Sequence, residues 1–300
     1  MDQLRQMQAF VAVVDTGSFV AAADRMACAK GVLSKLVMDL EKSLGARLLN
    51  RTTRRLSLTA TGTDYLQRCR QILEDVREAN SMASANAQLV SGRLKINAPL
   101  TFGNLHLAPL WGEFLRLHPL VELDISLTDR VVDLVDEGYD LAVRITRLAD
   151  SQLVARKLAT DRMRVCAAPG YLARSQPILE VQHLSEHNVA AYSWWSGGDV
   201  WTFFNPAAQS EQSVTIRPRL RANSGDTCRA AALAEQGVIF QPGFIVGQDI
   251  RAGLLHEILP GWQGPAVDIY AVYPSQRHLP GKVRAMVDFL VDAFRQPGWQ

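Results

Sequence analysis

Several features are missing from this chain, and each absence removes a class of function. No apolar run approaches the roughly 20 residues of a membrane span. The N-terminus, MDQLRQMQAFVAVVDTGSF, sets Asp2 and Asp15 around a periodic apolar face. It has no basic segment leading into an unbroken apolar one, so no signal peptide is expected and the reading is cytoplasmic. There is no Gly-rich phosphate loop, no G-x-S-x-G and no H-E-x-x-H, so neither catalytic residues nor a cofactor are expected. Cys28, Cys69, Cys166 and Cys228 are far apart and share no metal-ligand spacing. All four read as reduced thiols. Cys28, Cys69 and Cys166 lie in apolar patterns and read as buried, whereas Cys228 lies near an expected helix start, where a thiol can be more reactive. His183 and His187 stand four apart in VQHLSEHN and could share a helical face, but no third ligand accompanies them, so no metal is expected.

What is present is globular: 48% hydrophobic and 21% charged residues over 300 positions, enough for two or three domains. The formal net charge of +2 hides an asymmetry. Residues 1–64 carry nine Lys/Arg against six Asp/Glu, while residues 92–300 carry twenty against twenty-one. A basic module is joined to a neutral one.

Leu4, Met7, Phe10, Val11 and Val14 recur at helical spacing, Gly17 suits a helix C-terminus, and Ser18 suits the next N-cap. FVAAADRM follows, then a break at Ala27–Cys28–Ala29, then KGVLSKLVMDLEKSLG. In this third helix Leu33, Leu36, Val37, Leu40 and Leu44 make one apolar stripe, with Lys30, Ser34, Lys35 and Met38 on other faces. Two short helices joined by a tight turn, the second with a small and basic face, fit a helix-turn-helix about 19–38; a plain three-helix bundle is the alternative. NRTTRRLSLTATG then places Arg51, Arg54 and Arg55 with Thr52 and Thr53 at the tip of a hairpin pattern flanked by Leu48–Leu49 and Leu56/Leu58. Guanidiniums there suit phosphate oxygens and the narrow minor groove.

GSFVAAADRM and VLSKLVMDLEKSLGARLLNRTTRRLSLTATG, with ordered matches from about Leu4 to Gly62, resemble the N-terminal winged helix-turn-helix of the LysR-type transcriptional regulators. The resemblance implies DNA contacts from Lys30, Gly31, Ser34 and Lys35 in the recognition helix and from Arg51, Thr52, Arg54 and Arg55 in the wing. Ala29 and Gly31 depart from the family's usual residues, leaving the helix start without a strong side-chain cap and with a glycine that costs about 1 kcal/mol relative to alanine.

From Thr59 the pattern is helical to about Leu89. Leu66, Cys69, Leu73, Val76, Asn80, Ala83, Ala87 and Val90 alternate steps of three and four, a coiled-coil seam that reads as a dimerisation face with Asn80 fixing register. The expected organisation is a winged helix at 1–60, a linker helix at 61–91 and an α/β domain at 92–300. In that domain RLKINAP, VELDISLT, YDLAVRI, VIFQPGF and VDIYAVYPS read as strands. FGNLHLAPLWGEFLRLHP, VVDLVDEG, RAAALAEQG and KVRAMVDFLVDAFR read as helices, and LVARKLATDRMRVCAAP as a hairpin-like pair.

The diffuse resemblance of this part is to the same family's effector domain, which is of periplasmic-binding-protein type. It implies lobes at 92–160 with 267–300 and at 161–266, and a cleft lined by Thr101, Phe102, Thr128, Arg144, Trp194, Ser196, Trp201, Ser224, Asp226, Phe240 and Gln241. Thr101 precedes an expected helix N-terminus and Arg144 ends a strand, so an organic anion is the expected effector. Arg144 satisfied by Asp226 or another acid, with the tryptophans in the core, is the competing reading. The resemblance also implies double-stranded DNA as partner, a homodimer or homotetramer, and altered RNA polymerase contact. A cytoplasmic small-molecule-binding protein or enzyme of the same α/β fold is the rival class.

Overall fold

A computed structural model describes residues 2–51, 56–83, 90–145, 153–275 and 279–299, in two compact units, 1–89 and 90–300.

In the first unit, α1 (Gln3–Thr16), α2 (Phe19–Arg25) and α3 (Lys30–Leu44) precede a hairpin of β1 (Leu49–Arg51) and β2 (Leu56–Leu58), and α4 (Ala60–Ala83) follows. The boundaries are set locally. Asp2 caps α1, which ends at Gly17 in the left-handed region (φ 65°). The Ser18 hydroxyl accepts from Val20 N and Ala21 N at the start of α2. The turn into α3 passes through Ala27 at φ 49°, and α3 ends at Gly45, again left-handed. Phe10, Val13, Ala22, Leu33, Val37, Leu40 and Leu48 are sealed inside.

Leu66, Cys69 and Leu73 join that core rather than lining a free seam. The sequence-based dimer assignment is corrected for these three: α4 packs on α1 through them, so their apolar area is already covered within one chain. Val76 is half-buried, and Asn80 and Ala83 lie further along α4. Ala87 and Leu89 fall outside the described residues. Val90 packs against the core of the second unit and does not continue the seam.

The second unit opens with β3 (Ser91–Ala98) and a helical run comprising α5 (Leu100–Phe102), a π-helical turn (Gly103–Leu107) and α6 (Ala108–Leu117). Next come β4 (Leu120–Leu127), β5 (Leu141–Ile145), β6 (Leu153–Ala167), α7 (Pro169–Arg174), a 3-10 helix (Val181–Glu186) and β7 (Val189–Tyr192). They are followed by β8 (Val200–Asn205), β9 (Ser210–Thr215), β10 (Pro218–Ala222), α8 (Gly225–Leu233), β11 (Ile239–Pro242) and α9 (Gly243–Arg251). The chain closes with β12 (His256–Glu257), β13 (Ala266–Pro274) and α10 (Gly281–Ala293).

The main sheet runs β11-β6-β13-β5-β3-β4, with β12 also on β6. Pairing is parallel for β3 with β4 and β5, and antiparallel for β13 with β5 and β6. β10 pairs with β7, and β7 meets β11 through Ala190 N to Val238 O (3.0 Å) and Val238 N to Asn188 O (2.8 Å). One lobe is built on β3, β4 and β5 and the other on β7, β10 and β11.

Two expectations need correction. Residues 131–138 form no helix: 134–138 are turns, with Asp133 Oδ1 accepting from Val135 N and Asp136 N. Residues 153–167 are one strand, not a hairpin: β6 pairs with β13 as far as Arg162 and with β11 from Met163 onward, joining the lobes without a turn. Thr160–Asp161 has turn composition, but the Asp161 carboxylate is buried and accepts from Phe244 N (2.6 Å) in the first turn of α9. A Cβ at Gly243 would stand 2.7 Å from that carboxylate, so the close approach requires glycine.

Candidate DNA interface and effector cleft

The outward face of α3 is placed as its apolar stripe requires. Leu33, Val37 and Leu40 point inward, Leu36 is half-buried and Leu44 is exposed. Lys30, Gly31 and Lys35 are exposed and Ser34 is half-buried. Ala29 takes the N-cap position with no side-chain bond, so the first backbone N–H groups of α3 have no cap from it.

The hairpin is anchored to this helix. Glu41 Oε1 accepts from Leu48 N (2.8 Å) and Leu49 N (3.1 Å). Leu49 pairs with Leu58 and Arg51 with Leu56, which fixes the register of the two strands. The T-x-x-G that ends the motif closes the other side: Thr59 Oγ1 donates to Arg47 O (2.7 Å) and accepts from Gly62 N (2.9 Å), capping α4. Arg51 lies in β1; Thr52, Arg54 and Arg55 lie outside the described residues.

In the second unit the expected cleft residues divide. Thr101 is buried within the first helical turn, not before it, and donates to Asp226 Oδ2 (2.8 Å). Ser224 caps α8 through Thr227 N (3.3 Å), and Thr128 Oγ1 accepts from Arg130 N (3.2 Å). A Cβ at Gly225 would meet Gln241 Oε1 and Thr101 Oγ1, both at 3.4 Å, so Thr101, Gly225, Asp226 and Gln241 converge where the lobes meet. Gln241 is 2% exposed, and its Nε2 has no hydrogen-bond partner among the described residues.

Arg144 does not pair with Asp226. Among the described residues its Nη1 donates to Asn97 Oδ1 (2.6 Å), and its other hydrogen bonds reach the carbonyls of Val143 and Val132. Burial pulls its pKa below the ordinary guanidinium value. Trp194 and Ser196 are exposed, with Trp194 edge-on to Tyr192 (6.4 Å).

Three assignments are corrected. Phe102 is sealed in a ring cluster with Phe244, Phe294 and Trp299, while Trp201 and Phe240 stack at 5.0 Å inside the second lobe. All three are core, because neighbouring apolar side chains leave each of them almost no exposed surface. Cys228 is also buried, and burial pushes its thiol up to about 11. His187 is buried with Nδ1 on the Tyr171 hydroxyl (3.1 Å), whereas His183 Nδ1 accepts from Leu179 N (3.2 Å), so they form no pair. No metal-binding group occurs among the described residues.

The residue missed from the sequence is Asp129. Its Oδ1 accepts from Leu100 N (2.8 Å), occupying the helix N-terminus expected for an effector anion, and its Oδ2 accepts from the Tyr192 hydroxyl (3.0 Å) across the lobes. Burial first, and Asp129 next, raise the Tyr192 pKa. A signal was available: Asp129 follows the C-terminal end of β4, where open α/β sheets place functional groups.

The comparisons agree with this geometry. Residues 4–63 match the model of the bacterial regulatory helix-turn-helix protein, lysR family, and residues 87–295 match the LysR substrate binding domain. The chain is 36% identical to an uncharacterized HTH-type transcriptional regulator of Haemophilus influenzae, covering 94% of this chain and 98% of the relative. It is 33% identical to an HTH-type transcriptional repressor of Pseudomonas aeruginosa, over 99% and 93%. The solved structure of CrgA, a LysR-type regulator from Neisseria meningitidis, superposes with a TM-score of 0.63 at 31% identity, over 97% of this chain and 98% of that one. With a winged helix-turn-helix followed by a two-lobed α/β domain, the chain belongs to the family of LysR-type transcriptional regulators.

Proposed function

We propose that α3 enters the major groove of an operator with Lys30, Gly31, Ser34 and Lys35 toward the bases, while Arg51, Thr52, Arg54 and Arg55 hold the flanking phosphates and minor groove. The exposed basic first turns of α3 beside an anchored hairpin support this reading. The protein acts in the cytoplasm as a homodimer or homotetramer, and effector binding changes its contact with RNA polymerase. Anisotropy titration of full-length protein on its operator and on scrambled duplex tests the DNA contacts. Lys35→Ala relaxes sequence preference, whereas Arg54→Ala weakens binding to both duplexes and lowers the salt slope by about 1. Equal effects of both variants on both duplexes refute the division.

The effector is a small organic anion seated between the lobes, its acid group on Arg144 and an acceptor on Gln241 Nε2. What supports this is a half-buried guanidinium whose hydrogen bonds among the described residues go to neutral oxygens, with Glu137 acting on it only through space. Asp129 already holds the helix N-terminus, which shifts the expected anion to Arg144. Thermal-shift screening of carboxylic acids against their amides tests it: acids raise the melting temperature, and Arg144→Met abolishes the effect. Stabilisation by neutral or cationic compounds alone refutes it.

A further inference from the structure

A glycine inside a helix costs about 1 kcal/mol relative to alanine and is usually offset by something that must come close. No close approach among the described residues explains Gly31: outside its own helix backbone and chain neighbours, a Cβ there meets no described heavy atom within 4 Å. Beside it Val32 is 47% exposed and takes no part in the core of the first unit. A β-branched residue is also a poor choice for an exposed helical position on propensity grounds. Gly31 and Val32 lie four and three residues before Lys35, so the three form one continuous patch in the first turns of α3. The patch is apolar and edged by a cation, and no packing among the described residues accounts for its apolar character.

In the major groove the apolar feature of a base edge is the C5-methyl of thymine. We propose that Val32 is a specificity-determining residue that packs on a thymine methyl, with Gly31 letting the α3 backbone approach the groove closely enough for that contact. This rests on the operator-binding reading above and adds to it a base preference set by Val32.

The test uses the full-length protein to select duplexes from a random pool, then replaces each thymine of the selected duplex singly with deoxyuridine, which removes the methyl alone. With wild type, one thymine in each half-site is sensitive, and its replacement weakens binding about fourfold, the worth of one buried methyl-sized group. Val32→Ser binds the thymine and deoxyuridine duplexes equally, Val32→Thr keeps part of the difference, and Val20→Ala, an exposed valine of α2, keeps all of it. Gly31→Ala melts at a higher temperature yet loses affinity for the selected duplex more than for a random one. A wild-type operator without a methyl-sensitive thymine overturns the proposal while leaving the regulator reading intact. So does a Val32→Ser variant with undiminished methyl sensitivity. Selection of no sequence at all overturns the regulator reading and this proposal together.

Discussion

Gly62→Ala places a methyl carbon 2.0 Å from the carbonyl oxygen of Leu48 and 2.9 Å from its carbonyl carbon. Both atoms are backbone, so no side chain can swing aside. Helix propensity alone favours alanine by about 1 kcal/mol. Against it, the first turn of α4 must move off β1, straining the bonds from Gly62 N to Thr59 Oγ1 and from Thr59 N to Leu48 O. Those bonds are worth about 1 kcal/mol each, and overpacking costs about 1–3 kcal/mol, so the net loss is about 2–4 kcal/mol. That is a large share of the stability of a small domain. The two units can be followed separately, because Trp111, Trp194, Trp195, Trp201, Trp262 and Trp299 account for all 6 tryptophans and all lie in the second. In a urea titration, Gly62→Ala lowers the midpoint of the far-ultraviolet dichroism transition belonging to the first unit and leaves the tryptophan fluorescence transition in place. Gly31→Ala, the same change where space is open, raises the first midpoint. A Gly62→Ala variant at or above the wild-type midpoint would mean that propensity outweighs the close approach, and the argument for how α4 is seated on the wing would fail.

Arg229→Met strips the buried Asp249 carboxylate of its bidentate partner between α8 and α9. Because the guanidinium is partly exposed, the loss sits below the range for fully buried pairs, at about 2–3 kcal/mol, read as a lower fluorescence midpoint; an unchanged midpoint refutes it. His106 and His187 are held below the ordinary imidazole pKa by burial, so the folded state refuses protons that the unfolded chain accepts. Their contribution is intact above about pH 6.5 and is lost as pH falls through that value. The fluorescence midpoint therefore drops between pH 7.5 and 5.5, less so in His106→Gln, and identical pH dependence in the two proteins counts against the idea. Native alkylation at pH 8 modifies Cys28, which is half-buried, and spares Cys69 and Cys228, whose thiols burial pushes up to about 11; labelling of all three at equal rates refutes this.

The first unit was legible because its instructions are local. Gly17, Ser18 and Gly45 cap helices within a few residues, and the stripe through Leu33, Val37 and Leu40 specifies one buried face. Leu66, Cys69 and Leu73 show the limit of the same signal: periodicity says that a face is covered, not by what, and α1 covers it here. In the second unit the information is spread over long separations. Thr160–Asp161 has turn chemistry, and only the distant Phe244 N explains why it sits inside a strand. The β8–β9 hairpin and α9 carry weak local punctuation and are not legible in the sequence. Trp201 and Phe240 stand at cleft positions that the family resemblance implies, but a lobe core uses such apolar rings equally well. Thr101, Asp226 and Gln241 come together from distant parts of the chain, and the Asp129 contact with Tyr192 likewise joins residues whose pairing no local pattern encodes.

The antiparallel pairing of β6 with β13, which brings Leu153 beside Pro274, has a consequence for synthesis on the ribosome. Every described element of the first unit is complete once Ala83 has emerged, so its contacts, those of α4 with α1 included, can all form at that point. The second unit cannot complete its sheet until β13 arrives near the end of the chain, since β5 and β6 both need that strand as their neighbour. Local contacts form quickly, and long loops must be closed before distant strands pair. The nascent chain therefore holds a finished operator-reading module while the effector domain still presents open strand edges, the surface on which a chaperone would act and at which a premature stop would leave an aggregation-prone product.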